Sequence, residues 1–141
     1  MDQIINIVPP LLYFILGIVC SIMAFKTISA KKYLRFHEEA AGKPWDNLDE
    51  PLKPVILSFL RLSGLGFLVM AILLIVCPFV NLLTPNSFYE YAIPVIGLIF
   101  CTGLFLINYS LHRKTKVDTP WKGSLYAMIL LIAGIIISVF R

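Results

Sequence analysis

Two short segments carry the chain's only tryptophans, Lys-Pro-Trp-Asp-Asn-Leu at 43–48 and Thr-Pro-Trp-Lys-Gly-Ser at 119–124. Each Trp follows a proline, and each Pro-Trp lies just downstream of one of the two histidines. Six residues separate His37 from Pro44, and seven separate His112 from Pro120. Two imidazoles can ligate haem or a metal, or respond to pH near neutrality. No His-x3-His or Cys-x2-Cys spacing accompanies them, so haem held by His37 and His112 is the lesser option and two interfacial histidines the main one. Trp45 and Trp121 fit aromatic anchors at headgroup level, each beside a proline that starts a returning helix.

A second candidate group centres on Arg61. This side chain is set inside an apolar run, roughly 9 Å beyond Val55 at the helical rise of 1.5 Å per residue. A charge inside a membrane is costly and marks a candidate functional site, although an arginine at this depth also reaches the headgroups by extending its stem. Ser58, Ser63, Asn108, Tyr109 and Ser110 lie at similar depth and would form a polar cluster with it at an inner mouth. Cys20, Cys77 and Cys101 all fall within apolar runs, which suits packing and makes neither a disulfide framework nor a zinc site. The acidic residues between Glu38 and Glu50 alternate with Lys and Arg and read as a solvated loop.

The elements that must position these residues are membrane spans. Only 14% of the residues are charged, roughly half the share found in soluble domains, and mean hydropathy is +0.87. Four apolar runs, 9–25, 55–77, 91–111 and 123–140, are each long enough to cross about 30 Å of hydrocarbon as a helix. Lipid satisfies no backbone groups, and no apolar/polar alternation supports a barrel, so the runs are helices. The expected fold is an all-α integral membrane protein, one domain over 1–141, with four transmembrane helices as two consecutive hairpins. All lysines and arginines except Arg141 fall within 26–61 or 113–122. The positive-inside rule therefore places the loops 26–54 and 112–122 in the cytoplasm and both termini outside. The first run has an acidic leader and lacks a small-residue cleavage site, so it is expected to be retained.

Several local features follow. Residues 26–41 contain no Gly or Pro and pair Arg35 with Glu39 at helical spacing, which extends the first helix to a stop at Gly42. Asp49 and Glu50 before Pro51 announce the second span, and Thr119-Pro120 opens the fourth as cap and first helical residue. The outer connection covers 78–90, with turn chemistry at 84–86 and an aromatic belt of Phe88, Tyr89 and Tyr91. Small residues four apart (Gly17/Ser21, Gly97/Cys101, Gly123/Ala127, Gly134/Ser138) allow helices to approach closely. The matched His/Pro-Trp loops raise an ancient duplication of one hairpin, against which the spans align poorly.

No phosphate-cradling glycine loop, serine elbow or mid-membrane carboxylate is present, which weighs against nucleotide chemistry and a cation-coupled pump. The pI of about 9.1 points to anionic lipid headgroups at the cytoplasmic face and not to nucleic acid. The leading functional reading is a non-enzymatic scaffold, accessory or lipid-interacting component of a prokaryotic plasma membrane. The alternative is a small transporter or channel, built as a homodimer or larger complex with its inner mouth at the His/Pro-Trp loops. A haem- or lipid-handling enzyme comes third.

Overall fold

The computed structural model describes residues 2–84 and 87–140; the side chains of 2–6, 82 and 87–89 lie outside that description, as do the expected turn at 85–86 and belt residues Phe88 and Tyr89. The chain is helical throughout: α1 (Asp2–Ile28), α2 (Arg35–Ala41), a 3₁₀ turn at Trp45–Asn47, α3 (Leu52–Leu83), α4 (Ser87–Thr115) and α5 (Trp121–Val139). Among the described residues four helices are long and apolar enough to cross a membrane. Their outer faces are consistent with that environment, since Ile99 and Ile107 on α4 are each 69% exposed, and apolar surface of this kind is stable in lipid and not in water.

Packing runs α1 on α3, α3 on α4, α4 on α5 and α5 on α1, closing a four-helix bundle. α1 and α3 run antiparallel at close approach. A Cβ on Gly17 would lie 2.5 Å from Ile75 Cγ1, and one on Gly64 would lie 2.6 Å from both Ile28 Cγ1 and Thr27 Oγ1. Close backbone contact is what holds helices together where lipid removes the hydrophobic drive between them. α4 and α5 are also antiparallel, registered by Thr102 opposite Met128 and by Tyr91, whose hydroxyl donates to Ser138 O at 3.2 Å. Leu131, fully buried, sits at the centre with Tyr13, Leu16, Met70, Leu74 and Ile93 around it.

Three expectations are corrected. The first helix does not continue to Ala41 but stops at Ile28 and resumes at Arg35. A continuous helix would carry Tyr33 off the end of the bundle; the break turns it inward, 5% exposed, with its ring edge-on to Trp45 at 5.1 Å and its hydroxyl donating to Lys43 O. The expected Arg35–Glu39 pair (2.8 Å) and the Gly42 stop (φ 62°) both hold within the short α2. The outer connection is shorter than 78–90, because α3 passes through Pro78 to Leu83 and α4 begins at Ser87. Glu90 is thereby moved from a loop into the first turn of α4. Thr119 does not cap α5: its hydroxyl donates to Asn108 O at 2.8 Å, and the helix starts at Trp121.

Candidate functional site

One end of the bundle carries α2, the 3₁₀ turn and the α4–α5 turn; the opposite end carries Asp2 and Phe140. The two His-to-Trp loops both lie at the first end, on different helix pairs. His37 faces Leu60 and Ser63 of α3 across a hollow of about 310 Å³, its ring against Phe36 at 4.0 Å, and burial lowers its pKa. His112 stands beside Trp121 at 5.9 Å, and its Nδ1–H donates to Val117 O at 2.6 Å, since a carbonyl can only accept. Trp121 is further enclosed by Phe105 and Tyr109, and its buried Nε1 has no acceptor. Trp45 has Tyr33 as its aromatic partner, so each tryptophan anchors its own turn. No group of three His, Cys, Asp or Glu side chains able to hold a metal occurs among the described residues.

The residues grouped with Arg61 are not gathered into a contact set. Ser58, Ser63 and Asn108 each return a hydrogen bond to their own helix, at Pro54 O (2.8 Å), Phe59 O (3.0 Å) and Leu104 O (2.8 Å). Arg61 is exposed. Phe67, which meets Phe100 of α4 at 5.4 Å, lies six residues on, so Arg61 points roughly 120° away from that contact at 100° per residue. Tyr109 stacks on Phe105 at 5.4 Å, while Ser110 is exposed.

Two internal sites emerge that spacing alone does not reveal. The larger is a cleft of about 180 Å³ between the α1–α3 pair and the α4–α5 pair, below Leu131. Small side chains create it: Cys20 on α1, Cys101 on α4, and Gly123, Ser124 and Ala127 on α5. The Gly123/Ala127 pair, expected to glue helices, instead lines this space, and a Cβ on Gly123 would meet nothing within 4 Å. Val19 lines the cleft and is half exposed, which opens it sideways between α1 and α5. Lys26 lies seven residues on, the same stripe of α1 and roughly 10 Å nearer the loop end. Lys122, at the loop end of α5, has its Nζ 5.8 Å from the Trp121 ring and lies on the face of α5 turned from the cleft lining. Asn108 and Ser124 are the polar residues of the lining.

The smaller site lies at the opposite end, where Pro9, Pro10, Tyr13, Pro78, Asn81, Glu90, Ile93 and Ser138 enclose a void of about 20 Å³. The readable signal for it was Pro9 and Pro10 at the start of the first apolar run and Pro78 directly after the second, since prolines at such depth persist where neighbouring groups satisfy the freed backbone.

Fold and sites together define a small four-span, all-α membrane protein. Comparison with known proteins finds no matching family model, no matching curated protein and no matching solved structure.

Proposed function

We propose that this protein is a non-enzymatic, lipid-interacting membrane component that seats the acyl chain of an anionic phospholipid between its two helix pairs. The observation that carries the reading is the lateral cleft, with Lys26 on the stripe of α1 that leads from it toward the loop end. Apart from Asn108 and Ser124 its lining is apolar, and an engineered apolar cavity of about 150 Å³ stays dry and takes benzene, so a cleft of this size in hydrocarbon fills with chain and not with water. Lys26 stands toward the loop end on the same stripe of α1 as Val19, at the depth of a phosphate whose chain lies beside Val19. The positive-inside rule places that end in the cytoplasm, where anionic lipids and the basic loops attract each other. On this reading the protein is multi-pass in a plasma membrane with both termini outside.

The three cysteines supply the test. Cys20 and Cys101 line the cleft and Cys77 does not. In vesicles of anionic phospholipid, alkylation of Cys20 and Cys101 by an apolar maleimide is slowed relative to detergent with no added lipid, while Cys77 reacts alike in both. Ala127→Phe fills the cleft and removes the bound phospholipid seen in native mass spectra. Equal protection of all three thiols, or lipid retention by Ala127→Phe, contradicts the reading. The oligomeric transporter ranks second, and flux of a small cation into protein-containing vesicles, absent from empty ones, would promote it.

A further inference from the structure

We propose that the cleft also holds one soft monovalent metal ion, of the class of Cu(I), on a wall of sulfur atoms from Cys20, Met23, Met70 and Cys101. The inference rests on the sulfur side chains of the cleft and does not require the lipid reading.

Of the chain's three cysteines and four methionines, these four line the cleft, and they come from α1, α3 and α4. The packing of the helices puts them at one height. Gly17 lies against Ile75 and Gly64 against Ile28, so the register of α1 on α3 brings Met70 level with Ile22. Cys20 and Met23 bracket that position and, three residues apart, share one face of α1. On α4 a Cβ at Gly97 would lie 3.5 Å from Met70 Cε, and Cys101 stands one turn further along the same face. A charge on Cys101 is felt at Cys20, which links α4 back to α1 across the cleft. Both thiols are free of disulfides.

Donor chemistry selects the ion. Thiolate and thioether sulfurs are soft ligands that favour Cu(I), whereas zinc takes thiolate, imidazole or carboxylate. Among the described residues no His, Asp or Glu lines the cleft, and two of the four sulfurs are thioethers. Charge selects the valence. Hydrocarbon penalises net charge, and one Cu(I) with one thiolate is neutral. On binding, one S–H bond breaks, one S–Cu bond forms and the proton leaves to buffer, while copper stays Cu(I) and no electron moves.

The test uses the whole purified protein in detergent with no added lipid, under anaerobic ascorbate, with Cu(I) supplied as its bicinchoninate complex. The protein is expected to withdraw one Cu(I) per chain, read as loss of the visible absorbance of that complex. Met23→Leu and Met70→Leu conserve volume and apolarity, so both fold and keep phospholipid in native mass spectra. Each nevertheless weakens copper binding about tenfold, the loss of one donor. Cys77→Ser and Met128→Leu, which lie off the lining, leave the affinity unchanged. Failure to withdraw copper overturns the proposal, as does unchanged affinity in both methionine variants or displacement of the copper by equimolar zinc. X-ray absorption of the copper-loaded, unsubstituted protein needs no variant: a shell of sulfur alone is expected, and nitrogen or oxygen neighbours overturn the site. Lipid binding is scored with Ala127→Phe and copper binding with the methionine variants, so failure of either reading is distinguishable from failure of the other.

Discussion

Arg61 and Gly64 stand three residues apart on α3 and carry opposite expectations. Arg61 is exposed on a face turned from α4, so Arg61→Leu changes stability by no more than about 0.5 kcal/mol, as surface substitutions do. Gly64 lies under the backbone of α1, where a Cβ would be 3.1 Å from Ile28 N, so Gly64→Leu costs about 1–3 kcal/mol through overpacking. Reversible unfolding of both variants in mixed micelles checks the pair, and a larger loss at Arg61 would show that its charge has a buried partner. His37 adds a dependence on pH. Burial holds its pKa below the usual 6.5, so the undocked segment binds the proton first as pH falls. Docking of α2 is thus fully favoured above about 6.5 and weakens as pH drops through the lowered folded value. Trp45 fluorescence followed through an acid titration should show α2 leaving, and His37→Phe should flatten the response.

At the scale of elements, the break after Ile28 is the clearest case of packing overruling local preference. Residues 26–41 hold good helix formers and an i,i+4 ion pair, and on those grounds the helix continues. Tyr33 decides otherwise, because its ring and hydroxyl find Trp45 and Lys43 only if the chain turns. Tyr33→Phe should cost about 1 kcal/mol, the net worth of one hydrogen bond, and speed proteolysis within 29–34. The α4–α5 turn stores a backbone conformation that can be relieved. Lys116 has φ 62°, a left-handed angle that costs a residue with a Cβ about 1–2 kcal/mol. Lys116→Gly should therefore raise the unfolding midpoint, provided the Lys116 N–H to His112 O bond of 2.8 Å is kept. An unchanged or lowered midpoint would mean that the lysine side chain itself contributes to the turn.

For the whole molecule, the bundle couples two interior sites to the two ends of one helix set. Leu131 and Leu74 line the cleft and belong to the buried core that also holds Tyr13 and Ile93, two residues of the void's lining. The cleft exists because α5 carries Gly123, Ser124 and Ala127 where a tightly packed bundle would carry leucine, leaving a lateral gap that the neighbouring lipid fills. Much of this architecture was legible beforehand. The four apolar runs and the antiparallel sequence of helices follow from the length and composition of 55–77 and its counterparts, since a backbone in hydrocarbon has few ways to satisfy its own groups. The clustering of charge at 26–61 and 113–122 likewise places both connections at one end. Glu90 was not legible as an interior residue, because a carboxylate one residue before an apolar run reads as a loop charge until Pro78 is seen inside a helix that continues to Leu83.

By itself the sequence determined that this is a four-helix membrane protein with its basic connections together, because hydrophobic length and charge placement are properties of each segment alone. Only the tertiary structure decided that His37 and His112 serve different helix pairs, that Arg61 faces outward, and that Cys20 meets Cys101 in one cleft. It also brought Ser138, Glu90, Asn81 and Tyr13 to one void. These are relations between helices, set by rotation and register about each axis. The long, nearly uniform apolar runs leave both open until close contacts such as Gly64 on Ile28 and Gly134 on Tyr13 select one arrangement.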